Sequence, residues 1–288
     1  MEPQERRIQG AGLTLRVREW AADGPPIVLV HGLASNSRIW DDVAQRLATQ
    51  HHVVALDQRG HGLSDRPAES EPGRYTFERV VEDLAHVIDA LDLDRPTLAG
   101  HSWGGNVVLQ YAATHAQAVH GLVLVDGGFI ELSAYPGRDW ERVRVDMAPP
   151  DLTHMTIDEL LERASSRPYW NAAGEATLRT SFEVAADGRI RPRLRRDDHL
   201  EILRALWEQK PSTLYPQVDV PTLIVPARQA NPTGRAAEMA PMRAKLVEQA
   251  ATRLKNGRLL WMDDTVHDIP LQRPAELADA ILSVAARP

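Results

Sequence analysis

Six short apolar runs recur along the 288-residue chain, and longer stretches separate them. They are 27–31 (IVLVH), 53–57 (VVALD), 97–101 (TLAGH), 122–126 (LVLVD), 222–226 (TLIVP) and 258–262 (RLLWM). Runs this short and this uniformly apolar predict parallel strands buried on both faces. Residues 13–20 (LTLRVREW) alternate apolar and polar instead, which predicts a half-exposed strand. Between the runs, 76–91 carries Phe77, Val80, Val81, Leu84, Val87, Ile88 and Leu91 at helical spacing, with Thr76 as N-cap. Residues 104–115 and 274–286 also read as helices, the second opened by Pro274 in its first turn. Strands alternating with helices predict an α/β fold: a mostly parallel central sheet with helices on both faces.

The alternation lapses once, between Asp126 and Pro221. There the chain shows helical stretches at 154–165 and 196–209 and a hairpin signal at Asp187-Gly188. We expect residues 130–210 to form an inserted, mainly helical cap on a core built from 1–129 and 211–288. A long excursion in a compact domain usually serves a binding site. Four alternate arginines, Arg189, Arg191, Arg193 and Arg195, follow the hairpin signal; a solvated strand face is favoured over an anion-binding one.

Composition removes several chemistries. With no cysteine, the chain can form no disulfide, thiolate nucleophile or sulfur-based metal site. A net charge of −7 argues against nucleic acid as a partner. No apolar run approaches the ~18 residues that would predict a membrane span. The N-terminal MEPQERRIQG is charged and unlike a secretory signal, so a cytoplasmic location is expected. Neither a P-loop lysine nor metal-ligand spacing is present, and no metal or other cofactor is expected.

The strongest local signal is GHSWGG, Gly100 to Gly105, set between an apolar run and a helix. Gly-x-Ser-x-Gly in that setting predicts a strained turn that exposes Ser102 at the carboxyl end of the sheet. Glycine at 100 and 104 allows backbone to approach where a Cβ would clash. The helix that follows aims its N-terminal dipole at the same point.

Taken with VLVHGLASNSRIW (28–40), ALDQRGHGLSD (55–65) and VHDIPLQRP (266–274), this motif resembles the α/β-hydrolase superfamily in order and interval. The resemblance covers the chain outside the insertion and implies a sheet of about eight strands. It implies Ser102 as nucleophile and His267, after the last strand, as general base. The backbone N–H groups of Leu33 and Trp103 would form the oxyanion hole. His31 and His61 are expected to be structural, whereas His154 and His199 are candidates for a pocket lining. The acid departs from the commonest pattern: the loop after TLIVP, 227–234, contains no Asp or Glu. A known alternative places it one strand earlier, at Asp126; Asp263, Asp264 and Asn231 remain open.

The resemblance implies hydrolysis of a small-molecule carboxylic ester or lactone by water through an acyl-enzyme on Ser102. Carbon–carbon bond hydrolysis and cofactor-free perhydrolysis use the same residues and stay as alternatives. Epoxide hydrolases and haloalkane dehalogenases of this superfamily use an aspartate where this chain has Ser102. A non-catalytic small-molecule receptor on the same fold is the alternative of another class. The insertion's aromatics, Trp140, Tyr169, Trp170, Phe182 and Trp207, are divided between packing and substrate contact.

Overall fold

A computed structural model describes residues 2–167 and 169–286. The core strands are β1 (Gln4–Gln9), β2 (Thr14–Trp20), β3 (Pro26–Val30), β4 (His52–Leu56), β5 (Thr97–His101) and β6 (Gly121–Val125). Helices α1 (Asp41–Leu47), α2 (Phe77–Ala90) and α3 (Trp103–Thr114) connect them. After β6 come α4 (Trp140–Asp146), α5 (Ile157–Ser165), α6 (Ala172–Ser181), the hairpin β7 (Phe182–Val184) and β8 (Ile190–Pro192), and α7 (Arg196–Glu208). The chain then returns through β9 (Thr222–Val225), β10 (Ala227–Arg228), α8 (Gly234–Arg253), β11 (Gly257–Leu259), β12 (Met262–Asp263), α9 (Ile269–Gln272) and α10 (Pro274–Ala285).

Eight strands form one sheet in the order β1-β2-β4-β3-β5-β6-β9-β11. Pairing is parallel from β4 to β11 and antiparallel where β2 meets β1 and β4. Side chains alternate across the sheet, so each strand feeds two cores. Ile27 and Leu29 of β3 pack with Val43, Leu47, Ile281 and Val284 from α1 and α10. Val28 and Val30 join Val80, Leu84 and Val107 from α2 and α3 on the other face. That two-sided burial accounts for the uniformly apolar runs in the sequence.

Two strand expectations need correction. β2 is buried along nearly its whole length, although it alternates like a half-exposed strand. Its polar residues Arg16, Arg18 and Glu19 are covered because ion pairs satisfy them: Arg16 with Asp57 and Glu5, Arg18 with Glu5 and Asp41, Glu19 with Arg6. The run 258–262 is an edge, not a buried strand. β11 stops at Leu259, Leu260 is 42% exposed, and the chain resumes as β12 beside β10.

The ends of β5 and β6 each lead into a non-glycine residue with left-handed backbone. Ser102 has φ +54° and ψ −122°, and Asp126 has φ +46°. Such conformations in non-glycine residues cost about 1–3 kcal/mol each. They persist because the strands over-determine them: Ser102 N–H donates to the Val125 carbonyl, and Asp126 N–H to that of Val225. A Cβ on Gly100 would stand 2.2 Å from the Gly104 carbonyl oxygen, and one on Gly104 would stand 2.4 Å from that of Val30. Only glycine fits either position.

Among the described residues, those between β6 and β9 add no strand to the main sheet. Their hairpin turns at Gly188, φ +77°. Thr156 and Glu159 close a capping box at the start of α5. Among the alternate arginines, Arg193 pairs with Glu183 and Arg195 with Glu69 at the surface. Two arginines from the stretch after β4 grip α7: Arg74 meets Asp198 at 3.2 Å and Glu201 at 2.6 Å, and Arg66 meets Asp198 at 3.5 Å.

Candidate active site

The carboxyl ends of the strands bring Ser102, Asp126 and His267 to one cavity of about 630 Å³. That volume lies in the range typical of small-molecule sites, ~300–1,000 Å³. Leu33 and Trp103 line it too. Ser102 arrives on the β5–α3 turn, Asp126 on the end of β6, and His267 on the loop between β12 and α9.

His267 and Asp126 are 141 residues apart in sequence, and the His267 Nδ1–H donates to Asp126 Oδ2 at 2.6 Å. A carboxylate can only accept, so Nδ1 carries a proton, and in the neutral imidazole Nε2 keeps its lone pair. Burial would raise the Asp126 carboxyl. The hydrogen bond and charge of His267, then Arg243 and the Ala227 N–H, overcome that and hold it at about 2. Burial would likewise lower His267, but the bond to Asp126 and its charge raise it above the ordinary histidine value. The His267 side chain is 52% exposed, but into the cavity.

The remaining acid candidates lie elsewhere. Asp263 is exposed and pairs with Arg228, and Asp264 and Asn231 are also exposed. None of the three lines the cavity.

Buried neutral histidines frame the loop that bears Leu33. His31 donates from Nδ1 to the Gly32 carbonyl at 2.8 Å and accepts at Nε2 from the Gln58 N–H at 3.0 Å. His61 donates from Nδ1 to the Arg59 carbonyl at 2.9 Å and accepts at Nε2 from the Ala34 N–H at 3.3 Å. Burial pushes His31 down to about 4 and His61 to about 3. Arg59, itself buried, is fixed by a two-point bond to Asp83. The His61 ring stacks on Trp103, 5.5 Å between centroids. His101 donates from Nε2 to the backbone carbonyl of His267 at 2.8 Å, so it holds the loop that carries that imidazole.

Residues between β6 and β9 contribute to the cavity wall. Met147, Pro149 and His199 line it, and a neighbouring cavity of about 210 Å³ shares Ala34, Pro149, Pro150 and His199. Of the insertion's aromatics, Tyr169 and Trp170 line a cleft with Ser102 and His267, and Phe182 lines the 210 Å³ cavity. Trp140 and Trp207 pack on the core instead. His154 is exposed and lines none of these spaces.

Several groups at the site are absent from the sequence expectations, Arg243 foremost among them. Arg243, on α8, lines the cavity and donates to Asp126 Oδ1. Arg235, Met239 and Arg243 all face this cavity, four residues apart, and that spacing is readable in the sequence. No apolar period announces α8, because its first half is mostly exposed and contains Pro241. Among the described residues, no cluster of three or more His, Asp or Glu is placed to hold a metal ion.

A family model for the alpha/beta hydrolase fold matches residues 25–229, from the start of β3 through β10. The chain belongs to this family. The 2-(acetamidomethylene)succinate hydrolase of Mesorhizobium japonicum is 36% identical over 121 residues, 42% of either chain. The 2-hydroxymuconate semialdehyde hydrolase of Pseudomonas sp. (strain CF600) is 31% identical over 137 residues, 46% of this chain and 47% of the relative. The chain thus spans under half the length of these relatives. A crystal structure of E-2-(acetamidomethylene)succinate hydrolase superposes with a TM-score of 0.75 at 24% identity, over 99% of this chain and 100% of that one. At that identity the likeness is one of fold.

Proposed function

We propose that this member of the family is a serine hydrolase that cleaves a carboxylic ester or lactone. The observation that carries the reading is the convergence of Ser102, in its strained turn, with the hydrogen-bonded His267–Asp126 pair on one cavity. Strain of this kind brings no stability and is maintained where it exposes a reacting group.

In this mechanism Nε2 of His267 takes the proton of Ser102 Oγ as Oγ attacks the carbonyl carbon. The carbonyl π pair moves to oxygen, and the backbone amides of Leu33 and Trp103 stabilise that oxyanion; removing one such donor typically costs about 3 kcal/mol. The intermediate collapses, the carbon–oxygen bond to the leaving group breaks, and the imidazolium returns its proton to the leaving alkoxide. Water, deprotonated by His267, then hydrolyses the acyl-serine. Asp126 keeps Nδ1 protonated and stabilises the imidazolium throughout. Residues 130–210 act as a cap that shapes the acyl and leaving-group spaces.

Carbon–carbon bond hydrolysis is the second reading, favoured by the semialdehyde hydrolase among the relatives. It needs the same nucleophile and base, and a panel of esters, lactones and vinylogous diketones would separate the two.

A fluorophosphonate probe tests the serine reading directly. We expect one label per chain, on Ser102, in the wild type. Ser102→Ala should lose labelling and at least ~10³-fold of ester turnover while melting normally. A wild type that does not label supports a receptor instead, and a Ser102→Ala variant with normal turnover overturns the mechanism.

A further inference from the structure

The acid at the end of β6 stands on a left-handed backbone, and the bond from its N–H to the Val225 carbonyl fixes the main chain but not the side chain. Something else must fix its carboxylate. The Ala227 N–H donates to Oδ1 at 2.9 Å. Arg243 donates to the same Oδ1 through Nη2, and through Nη1 to the Ala227 carbonyl at 2.8 Å. The three groups therefore form a closed ring, with the guanidinium over Phe129 at 5.5 Å and Trp261 at 6.0 Å. Oδ2 takes the bond from His267, its partner among the described residues.

We propose that Arg243 is a positioning residue for this centre: it holds Asp126 by one oxygen and so reserves the other for His267, fixing the tautomer with Nε2 free. The proposal rests on the reading of His267 as general base. A lysine at 243 would supply the charge without the two-point grip, since only a planar guanidinium can bond both acceptors at once.

The charge has its own consequence. Groups facing His267 are Asp126 from β6, Arg243 from α8, His101 beneath it on β5, Asp268 beside it, and Arg167 and Tyr169 across the cleft. The Asp126 and Asp268 charges favour the imidazolium, and Arg243 opposes them. Without Arg243 the imidazole binds its proton more tightly, and the reactive neutral form appears at higher pH. Removal of one nearby charge in a partly exposed setting typically shifts a midpoint by about one pH unit.

Two measurements on the full chain decide it: NMR titration of the His267 ring, and the rate of Ser102 labelling by a fluorophosphonate as a function of pH. Arg243→Gln should raise both midpoints by about one unit and slow labelling about tenfold below them. Arg243→Lys should restore the midpoint but not the rate. An unmoved midpoint in a folded Arg243→Gln protein overturns the proposal. So does a Lys variant that labels at the wild-type rate, and that comparison decides the matter if the Gln variant does not fold. A defect confined to KM for carboxylate-bearing esters would overturn it too, making Arg243 a substrate anchor. If the wild type never labels, the serine-hydrolase reading fails, and the NMR titration alone still judges Arg243.

Discussion

Asp126 presents two oxygens with different duties, and that division makes its isosteric replacement informative. Oδ1 only accepts, from the Ala227 N–H and from Arg243, so an amide oxygen serves there equally well. Oδ2 accepts from His267 Nδ1, so the amide NH₂ of Asp126→Asn would face that nitrogen as a donor. The imidazole would be driven to the other tautomer, with Nε2–H toward Ser102. We expect ester turnover to fall by about 10⁴-fold, as for the equivalent change in serine proteases, with the melting temperature nearly unchanged. Steady-state kinetics on p-nitrophenyl acetate checks this; wild-type turnover would move the acid elsewhere. Ser102 and His267 are legible because motifs flank them. Asp126 is legible only by default, from a loop after β9 that lacks an acid. Arg243 escaped because it lies 117 residues from its partner on a helix without an apolar period.

At the scale of elements, the grip of Arg66 and Arg74 on Asp198 joins α7 to the stretch after β4. Asp198 is 1% exposed, and burial raises its carboxyl above the usual range against the pull of both arginines. Asp198→Ala would leave two guanidiniums short of a partner. Breaking a fully buried ion pair costs ~3–5 kcal/mol, and the exposure of Arg66 together with the second partner of Arg74, Glu201, reduces that to about 2. Hydrogen exchange should quicken in α7 and the hairpin while the sheet keeps its protection. Uniform loss of protection would mean that the insertion and the sheet unfold as one unit. Pattern reading succeeded for α2, α3 and α10, whose apolar faces meet the sheet. It failed for β2 and for 258–262, because period reports which side chains are apolar, not which polar ones find ion-pair partners or where a sheet ends.

For the whole molecule, the buried neutral histidines make stability depend on pH. His31 and His61 sit well below the ordinary value because burial disfavours their charged forms, and His101, at about 4, does so for the same reason. Unfolded, these groups bind protons near pH 6.5; folded, they resist until about pH 3–4. The unfolded chain therefore binds more protons in that window, so stability is fully present above pH 6.5 and falls as the pH drops. Calorimetric scans should show the melting temperature declining steadily from pH 7 to 4, and His61→Asn should flatten the slope. An unchanged slope in that variant would show that other groups govern acid unfolding. The parallel architecture was the most readable level of all, since two-sided burial writes itself into composition.

If Asp126 is the acid, as proposed above, its place at the end of β6 also bears on how such a protein diverges. Residues 229–233, after β10, are mostly exposed and contain no acid, yet Gln229 and Pro232 reach a cavity beside Asp126 and His267. In the commoner arrangement that loop must hold a catalytic side chain in register, and any change of length is punished. Here, provided Ala227 and Arg243 keep their places, the loop is free to be lengthened, shortened or exchanged. Variation can therefore explore the rim of the site while Ser102 and Asp126 stay at the strand ends.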